Sequence, residues 1–94
     1  MAKLQFEWNA VKAAGNVEKH GVTFDEASSV FRDPLAKVLP DPTQRSGEGR
    51  AIMMGHSDQG RLLLVVFADR ADRIRIISAR EATRRERREY EEHS

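Results

Sequence analysis

The central element of the fold is predicted from Leu62-Leu63-Leu64-Val65-Val66-Phe67. Six consecutive apolar residues between turn-like segments are typical of a strand that is covered on both faces. We therefore predict a strand over residues 61–68 and place it at the centre of a sheet. The segments 57–60 and 69–72 on either side of it are short and contain Asp, Ser or Gly. Connections of this kind favour antiparallel neighbours.

Three further strands complete the predicted antiparallel meander. Residues 36–39 and 50–56 precede the central strand, and residues 73–77 follow it. A short first strand is predicted over residues 4–8, where apolar and polar residues alternate. The segment 41–49 contains Pro42, Ser46 and two glycines, and it is predicted to be the one long, mobile loop.

The first helix is predicted from a cap at Asn9 to about His20, and Gly21 ends it. Its apolar face is expected to hold the residues that fall at helical spacing, which are Trp8, Val11, Ala14 and either Val17 or Glu18. A separate polar face holds Lys12, Asn16, Lys19 and His20. We expect Trp8 to belong to the core.

Capping boxes mark the starts of two more helices. Thr23-Phe24-Asp25-Glu26 starts a second helix, which stops before Pro34 because the residue preceding a proline avoids helical geometry. Ser78-Ala79-Arg80-Glu81 is expected to start a C-terminal helix that runs to about Glu92. Two N-terminal helices packed on a sheet, followed by a C-terminal helix, make an α+β fold.

The C-terminal helix has a narrow apolar stripe, formed only by Ala79, Ala82 and Tyr90. Either it is a solvated helix held by ion pairs between residues four apart, or it packs against a partner protein. The ion pairs available to it include Glu81–Arg85 and Arg85–Glu89.

The length of 94 residues and the absence of repeats predict one domain that spans residues 1–94. The chain has no cysteine, which excludes disulfides and thiolate metal sites. No apolar run approaches the roughly 20 residues of a membrane helix, and the N-terminus is too short and polar for a signal peptide. We therefore expect a soluble, cytoplasmic protein without a membrane partner.

The three histidines, His20, His56 and His93, show no metal-ligand spacing. The sequence also lacks a glycine-rich phosphate loop and the nucleophile motif of serine hydrolases. We therefore expect neither a metal nor a cofactor.

Most basic residues of the chain are arginines, with 12 Arg and 4 Lys. The net charge is +1. Arg73 and Arg75 alternate along the last strand, and Arg80 and Arg84 are predicted one turn apart on the following helix. Four converging guanidiniums could hold RNA phosphates and stabilise a pentacoordinate phosphoryl transition state. The alternative is an exposed sheet face on which Arg73 and Arg75 pair with Asp69 or Asp72.

His20 is the candidate for proton transfer, because an imidazole exchanges protons near neutral pH. It lies on the same predicted helix face as Lys12 and Lys19. Cleavage of RNA without a metal needs the 2′-hydroxyl of the substrate, charge stabilisation and one such group. The alternative role for His20, which precedes Gly21, is to cap the end of the helix.

Several motifs are spread over nearly the whole chain. They are Phe6-Glu7-Trp8-Asn9, Lys12, Asn16, the run from Lys19-His20-Gly21 to Glu26-Ala27, Gly60-Arg61-Leu62-Leu63, and Arg75-Ile76-Ile77-Ser78-Ala79-Arg80 with Glu86 and Tyr90. Together they closely resemble the motifs of the BrnT toxin family. The resemblance implies a RelE-like fold and a ribonuclease toxin that arrests translation. It also implies neutralisation by a BrnA-like antitoxin of the ribbon-helix-helix class, through which the pair binds operator DNA.

The resemblance and the cluster together define the expected site. We expect the catalytic residues to be His20, Arg75 and Arg80. Substrate binding is assigned to Lys12, Lys19, Arg61, Arg73 and Arg84. Further proton transfer is assigned to Glu26 or Tyr90.

Two positions depart from the pattern of the family. Asn9 stands where Asp is usual, and Asn caps a helix equally well. Asp69-Arg70-Ala71 replaces a more typical Glu-Arg-Gly, which shortens an acidic side chain near the expected site.

Two other functions are compatible with the sequence. A catalytically inactive scaffold or co-repressor would act only in complex with the antitoxin, and the narrow stripe of the last helix favours this hypothesis. A stand-alone nucleic-acid-binding protein fits the arginines but not the net charge of +1.

Overall fold

The computed structural model describes residues 4–42 and 49–93 and confirms the α+β architecture. The elements are β1 (Phe6–Glu7), α1 (Ala10–His20), α2 (Phe24–Ser29) with a 3₁₀ turn (Val30–Arg32), β2 (Lys37–Pro40), β3 (Arg50–His56), β4 (Leu62–Arg70), β5 (Arg73–Glu81) and α3 (Arg84–Glu92). Most of the predicted loop over residues 41–49 lies outside the described residues. None of the helices in the described ranges is long and apolar enough to cross a membrane.

The five strands form one sheet in the order β1-β5-β4-β3-β2, so β4 is central as predicted. Strands β2 to β5 form the expected antiparallel meander. Strand β1, for which the sequence predicted no direction, pairs in parallel with β5. Parallel pairing is possible because the chain returns through both helices and the meander before β5.

Strand β4 contributes to two clusters of apolar residues, one on each face of the sheet. Leu63 and Val65 pack on one face under α1 and α2, with Val22, Phe24 and Ile76. We call this side the α1/α2 face. Leu62 and Leu64 pack on the other side with Met54 and Tyr90 of α3, and we call this the α3 face.

The prediction for the ends of α1 is confirmed, but the prediction for its buried face is wrong. Asn9 caps the helix by accepting a hydrogen bond from the Lys12 backbone, and Gly21 ends it in the left-handed region at φ 68°. Asn16 faces inward and is buried, whereas Val11 and Val17 are exposed. Trp8 does pack on the core, edge-to-face against Phe24 at 5.9 Å.

Three hydrogen bonds explain the inward position of Asn16. Its Nδ2 donates to the carbonyls of Val22 and Ala79, both at 2.9 Å. Its Oδ1 accepts from the backbone N–H of Ala79 at 3.1 Å. The side-chain amide of Asn16 therefore makes the hydrogen bonds to Ala79 that a neighbouring strand would otherwise make. Because these bonds satisfy its polar atoms, the amide can be buried.

The second helix begins at the predicted cap and ends before Pro34. The hydroxyl of Thr23 accepts from the backbone N–H of Glu26 at 3.0 Å. The second half of the predicted capping box is absent, because the Glu26 carboxylate binds Ser57 and Arg61 instead.

The predicted start of the C-terminal helix is wrong. Strand β5 continues to Glu81, and Thr83 caps α3 in a full capping box with Glu86. Arg80 is therefore a strand residue, and Glu81 pairs with Arg61 rather than with Arg85. The predicted pair Arg85–Glu89 is present at 3.3 Å.

Helix α3 is docked on the sheet and is not merely solvated. Tyr90 is buried against Leu62 and Leu64, and its hydroxyl donates to the Leu35 carbonyl at 3.0 Å. The amine of Lys37 lies 5.0 Å above the Tyr90 ring and donates to the carbonyl of His93. The contacts of this one large aromatic side chain thus hold α3 on the sheet, although the apolar stripe of the helix is narrow.

Candidate nucleic-acid interface

Basic side chains from four elements line an open cleft of about 660 Å³, which we call the basic cleft. The cations are Lys12 of α1, Arg50 of β3, Arg70 of β4 and Arg75 of β5. Gly49, Ala68 and Ile77 complete the lining together with Asp69, the one carboxylate among the described residues of the cleft.

The register of the sheet explains why the cleft is open. Arg50 and Arg75 both lie opposite Ala68, one on each neighbouring strand. The two Cα atoms are therefore two strand spacings apart, or about 10 Å. Because Ala68 is small, the space between the two guanidiniums is not filled by a side chain.

A β-bulge places Arg75 and Arg80 on the same face of the sheet, although they are five residues apart. The pairing shifts between Val66 and Phe67, so that Ile77 has no partner on β4. Arg75 then lies opposite Ala68 and Arg80 opposite Leu64, both on the α3 face. Four residues along β4 separate the two arginines by about 13 Å.

Arg75 has one carboxylate partner, which is neither of the two that the alternative interpretation named. Its Nη1 donates to Oε2 of Glu7 at 3.1 Å, and neither Asp69 nor Asp72 pairs with it among the described residues. The side chain remains 36% exposed. A guanidinium has five N–H donors, so most of them are still available to a phosphate in the cleft.

Arg80 holds helix α3 and does not line the cleft. Its two terminal nitrogens donate to the two carboxylate oxygens of Glu86 at 2.8 and 2.9 Å. This ion pair lowers the pKa of Glu86 to about 2 and raises the pKa of Arg80. Glu86 also accepts from the backbone N–H of Thr83, so the pair joins the end of β5 to the cap of α3.

Arg61 and Glu26 lie together, away from the lining of the cleft. Arg61 binds Glu26, Glu81 and the carbonyl of Gly21. The hydrogen bond from Arg61 lowers the pKa of Glu26 most, and Ser57 adds to this against the effect of burial. Both charges are satisfied within the protein, and the geometry favours a structural role for the pair.

The other expected site residues also lie outside the lining of the cleft. His20 is the last residue of α1, about 12 Å along the helix axis from Lys12. Lys19 precedes it, and Arg84 is exposed in the first turn of α3. Burial raises the pKa of the Tyr90 hydroxyl, which is bonded to Leu35.

The four arginines that were expected to converge, Arg73, Arg75, Arg80 and Arg84, therefore do not meet in one place. Of these, only Arg75 is among the cations of the basic cleft. Arg73 lines a neighbouring cavity that shares Asp69 with the basic cleft. Arg50 and Arg70 were missed, because each lies at the end of a strand and has no motif around it. Their position at strand ends next to the predicted turns was the available signal.

Chemically, the cleft suits a phosphate. Guanidiniums and an ammonium group surround an open space that a chain of phosphodiesters can enter from solvent. Within residues 4–42 and 49–93, no three His, Asp or Glu side chains are grouped so as to hold a metal ion.

By its fold and its site, this is a small α+β protein with a cationic cleft on one face of the sheet. A family model described as the ribonuclease toxin BrnT of type II toxin–antitoxin systems matches residues 8–86. The chain belongs to this family.

The fold is similar to that of a solved relative. The crystal structure of the ribonuclease toxin BrnT of Brucella abortus aligns with a TM-score of 0.68 at 22% sequence identity. The alignment covers 87% of this chain and all of the Brucella chain. No curated protein matches the sequence.

Proposed function

We propose that the protein is an endoribonuclease toxin that cleaves RNA in the basic cleft without a metal ion, and that it thereby inhibits translation in the cytoplasm. The observation that carries this proposal is the meeting of Lys12, Arg50, Arg70 and Arg75 in one open cleft. Arginine forks bind phosphate oxygens in pairs, and several together fix the path of a phosphodiester chain. Membership of a family of ribonuclease toxins supports the same function.

The proposed reaction uses the 2′-hydroxyl of the substrate as the nucleophile. Its oxygen attacks the adjacent phosphorus, the bond from phosphorus to the 5′ oxygen breaks, and a cyclic phosphate remains. Arg75 stabilises the extra negative charge of the transition state. Water in the open cleft accepts the proton of the 2′-hydroxyl, and the leaving 5′ oxygen takes a proton from water there.

We favour water over His20, Glu26 and Tyr90 as the proton acceptor. Water enters the open cleft, whereas His20 lies at the far end of α1. Asp69 follows Ala68 in β4, so its side chain leaves the sheet on the face opposite to Arg75. Glu26 and Tyr90 are buried, and both are hydrogen-bonded inside the protein.

The family places the protein in a toxin–antitoxin pair, and we propose a BrnA-like antitoxin of the ribbon-helix-helix class as the partner. In this proposal the complex contacts operator DNA through the antitoxin alone. We do not assign DNA contacts to the toxin, because the four cations of the basic cleft line a space that suits a flexible single strand.

The proposal is tested by incubating the purified protein with single-stranded RNA in the presence of EDTA. We expect cleavage with a cyclic phosphate at the new 3′ end, and no cleavage of an RNA that carries 2′-deoxy sugars at the cut sites. Cleavage that appears only after addition of a divalent metal would contradict the mechanism. Absence of cleavage, together with harmless expression and operator binding by the complex, would instead favour the inactive co-repressor.

A further inference from the structure

The short strand β1 carries a carboxylate, Glu7, between two aromatic residues that pack on the α1/α2 face of the sheet. The ring of Phe6 lies edge-to-face with Phe31 at 5.2 Å, and the ring of Trp8 with Phe24 at 5.9 Å. Successive side chains of an extended chain alternate between the two faces of a sheet, so Glu7 is directed to the α3 face. Its aromatic neighbours therefore determine the side on which this carboxylate leaves the sheet.

The register of the sheet places Glu7 directly beside Arg75. The two residues are partners in the parallel pairing of β1 with β5, and the backbone N–H of Ile74 donates to the carbonyl of Gln5 at 2.8 Å. The Nη1 atom of Arg75 donates to Oε2 of Glu7 at 3.1 Å. Because the backbone already joins the two strands, the main effect of this ion pair is on where the guanidinium of Arg75 lies.

Glu7 lies behind Arg75 and outside the lining of the basic cleft. Across the sheet, the order of the neighbouring residues is Glu7, Arg75, Ala68 and Arg50. The cleft is on the side of Arg75 that faces Ala68 and Arg50. A phosphate in the cleft would therefore meet Arg75 from the side opposite to Glu7, and the carboxylate would not take its place.

The guanidinium of Arg75 lies among like charges and is 36% exposed. Lys12, Arg50 and Arg70 line the same cleft, and their charges repel it. A charged hydrogen bond to Glu7 offsets this repulsion and restricts the long side chain to fewer rotamers. The restriction matters for a reaction, since a misplacement of about 1 Å in a catalytic group lowers the rate by as much as about 100-fold.

We propose that Glu7 is a positioning residue for RNA cleavage, which holds the guanidinium of Arg75 where it stabilises the transition state. This inference rests on the proposed function. Glu7 acts through Arg75 and does not touch the substrate. Its negative charge weakens the binding of RNA phosphates, although its effect on Arg75 raises the rate of cleavage. The alternative is an exposed ion pair without a role in the reaction, since such pairs contribute little even to stability.

The test is a double-mutant cycle of Glu7→Ala and Arg75→Ala, in which single-turnover cleavage rates and dissociation constants are measured with the same single-stranded RNA. We expect Glu7→Ala to lower the rate by about 10- to 100-fold and to leave RNA binding unchanged or tighter. In the Arg75→Ala protein the same substitution should change the rate by less than about twofold, because the group that Glu7 positions is absent. Glu7→Gln keeps an oxygen that accepts from Arg75, so its rate should lie between those of the wild type and Glu7→Ala.

The matched control is Glu18→Ala, which removes an exposed carboxylate of α1. Its rate should stay within about twofold of the wild type, because Glu18 lies about 9 Å along the helix axis from the cleft residue Lys12. Binding of RNA with at least the wild-type affinity shows that Glu7→Ala is folded, so a loss of rate cannot come from unfolding.

Equal rates for Glu7→Ala and the wild type would overturn the inference and leave the proposed function intact. So would a loss of the same size in the Arg75→Ala protein, because Glu7 would then not act through Arg75. Weaker RNA binding in parallel with the slower rate would assign Glu7 a structural role instead. If the wild type does not cleave RNA, both the proposed function and this inference are wrong.

Discussion

Glu26 receives two hydrogen bonds from the guanidinium of Arg61 and a third, at 2.7 Å, from the hydroxyl of Ser57. Only 3% of the Glu26 side chain is exposed, while 31% of Arg61 is. The ion pair joins the start of α2 to the turn before β4, and Arg61 extends the contact to Gly21 at the end of α1. Removing one partner of such a pair lowers the stability of the protein, since the charge of the other partner stays partly buried.

Glu26→Gln should therefore lower the free energy of unfolding by about 2–4 kcal/mol at pH 7. The matched control is Glu89→Gln, which removes an exposed carboxylate from an ion pair and should change stability by less than about 0.5 kcal/mol. Chemical denaturation of both variants measures the difference. Equal stability of the two variants would show that the Glu26 pair does not hold the helices together.

The difference in stability between the wild type and Glu26→Gln should also depend on pH. Because the pKa of Glu26 is lower in the folded protein than its ordinary value of 4.5, the stabilisation is fully present above that pH. It is lost as the pH falls through the lower folded value, because the wild-type carboxyl becomes protonated. The wild type and Glu26→Gln should therefore approach each other in stability at acid pH, and a constant gap would contradict this.

Gly55 lies where β3 passes closest to the corner before β2. A Cβ atom at this position would lie 2.7 Å from the Cβ of Ala36 and 3.0 Å from a carboxylate oxygen of Asp33. We expect Gly55→Ala to cost about 1–3 kcal/mol. Gly15→Ala is the matched control, because the added atom meets nothing within 4 Å and should stabilise α1 by about 0.5–1 kcal/mol. Thermal unfolding of both variants should give shifts of opposite sign.

Ala71 occupies the left-handed region at φ 55°, in the turn between β4 and β5. Only glycine adopts this conformation without a steric cost. Ala71→Gly should stabilise the protein by about 1 kcal/mol, or raise the melting temperature by roughly 4–8 °C. A lower melting temperature would show that the turn is not strained.

The assignment of the proton acceptor can be tested with the variants Asp69→Asn and His20→Ala. Asp69→Asn should change the rate of RNA cleavage by no more than about threefold, since the Asp69 side chain leaves the sheet on the face opposite to Arg75. His20→Ala should also leave the rate nearly unchanged, since His20 lies about 12 Å along α1 from the cleft residue Lys12. A loss of about 100-fold or more in either variant would assign proton transfer to that residue.

The order of elements could be predicted because local signals were strong. The apolar run over residues 62–67 identified the central strand, and the caps at Asn9 and Thr23 identified the starts of two helices. The parallel pairing of β1 could not be predicted, because two residues carry no signal of direction. Residues 78–86 contain two Ser/Thr-x-x-Glu patterns, at 78–81 and 83–86, and pairing with Leu63 extends β5 to the end of the first of them.

The site was harder to predict than the fold, since it depends on contacts between distant parts of the chain. Arg75 was identified from the alternation along its strand, and Lys12 from its helix face. Arg50 and Arg70 join them only through the register of β3, β4 and β5, which no local pattern shows. The buried side of α1 was reversed for the same reason, because the partners of Asn16 are residues of the following turn and of β5.

We propose that RNA is cleaved in the basic cleft. The most direct test is the single-turnover rate of RNA cleavage by Arg75→Ala beside Arg85→Ala, which removes an exposed arginine of α3. We expect the first variant to lose about 100-fold or more and the second to stay within about twofold of the wild type. Equal rates for the two variants would contradict the assignment of the cleft.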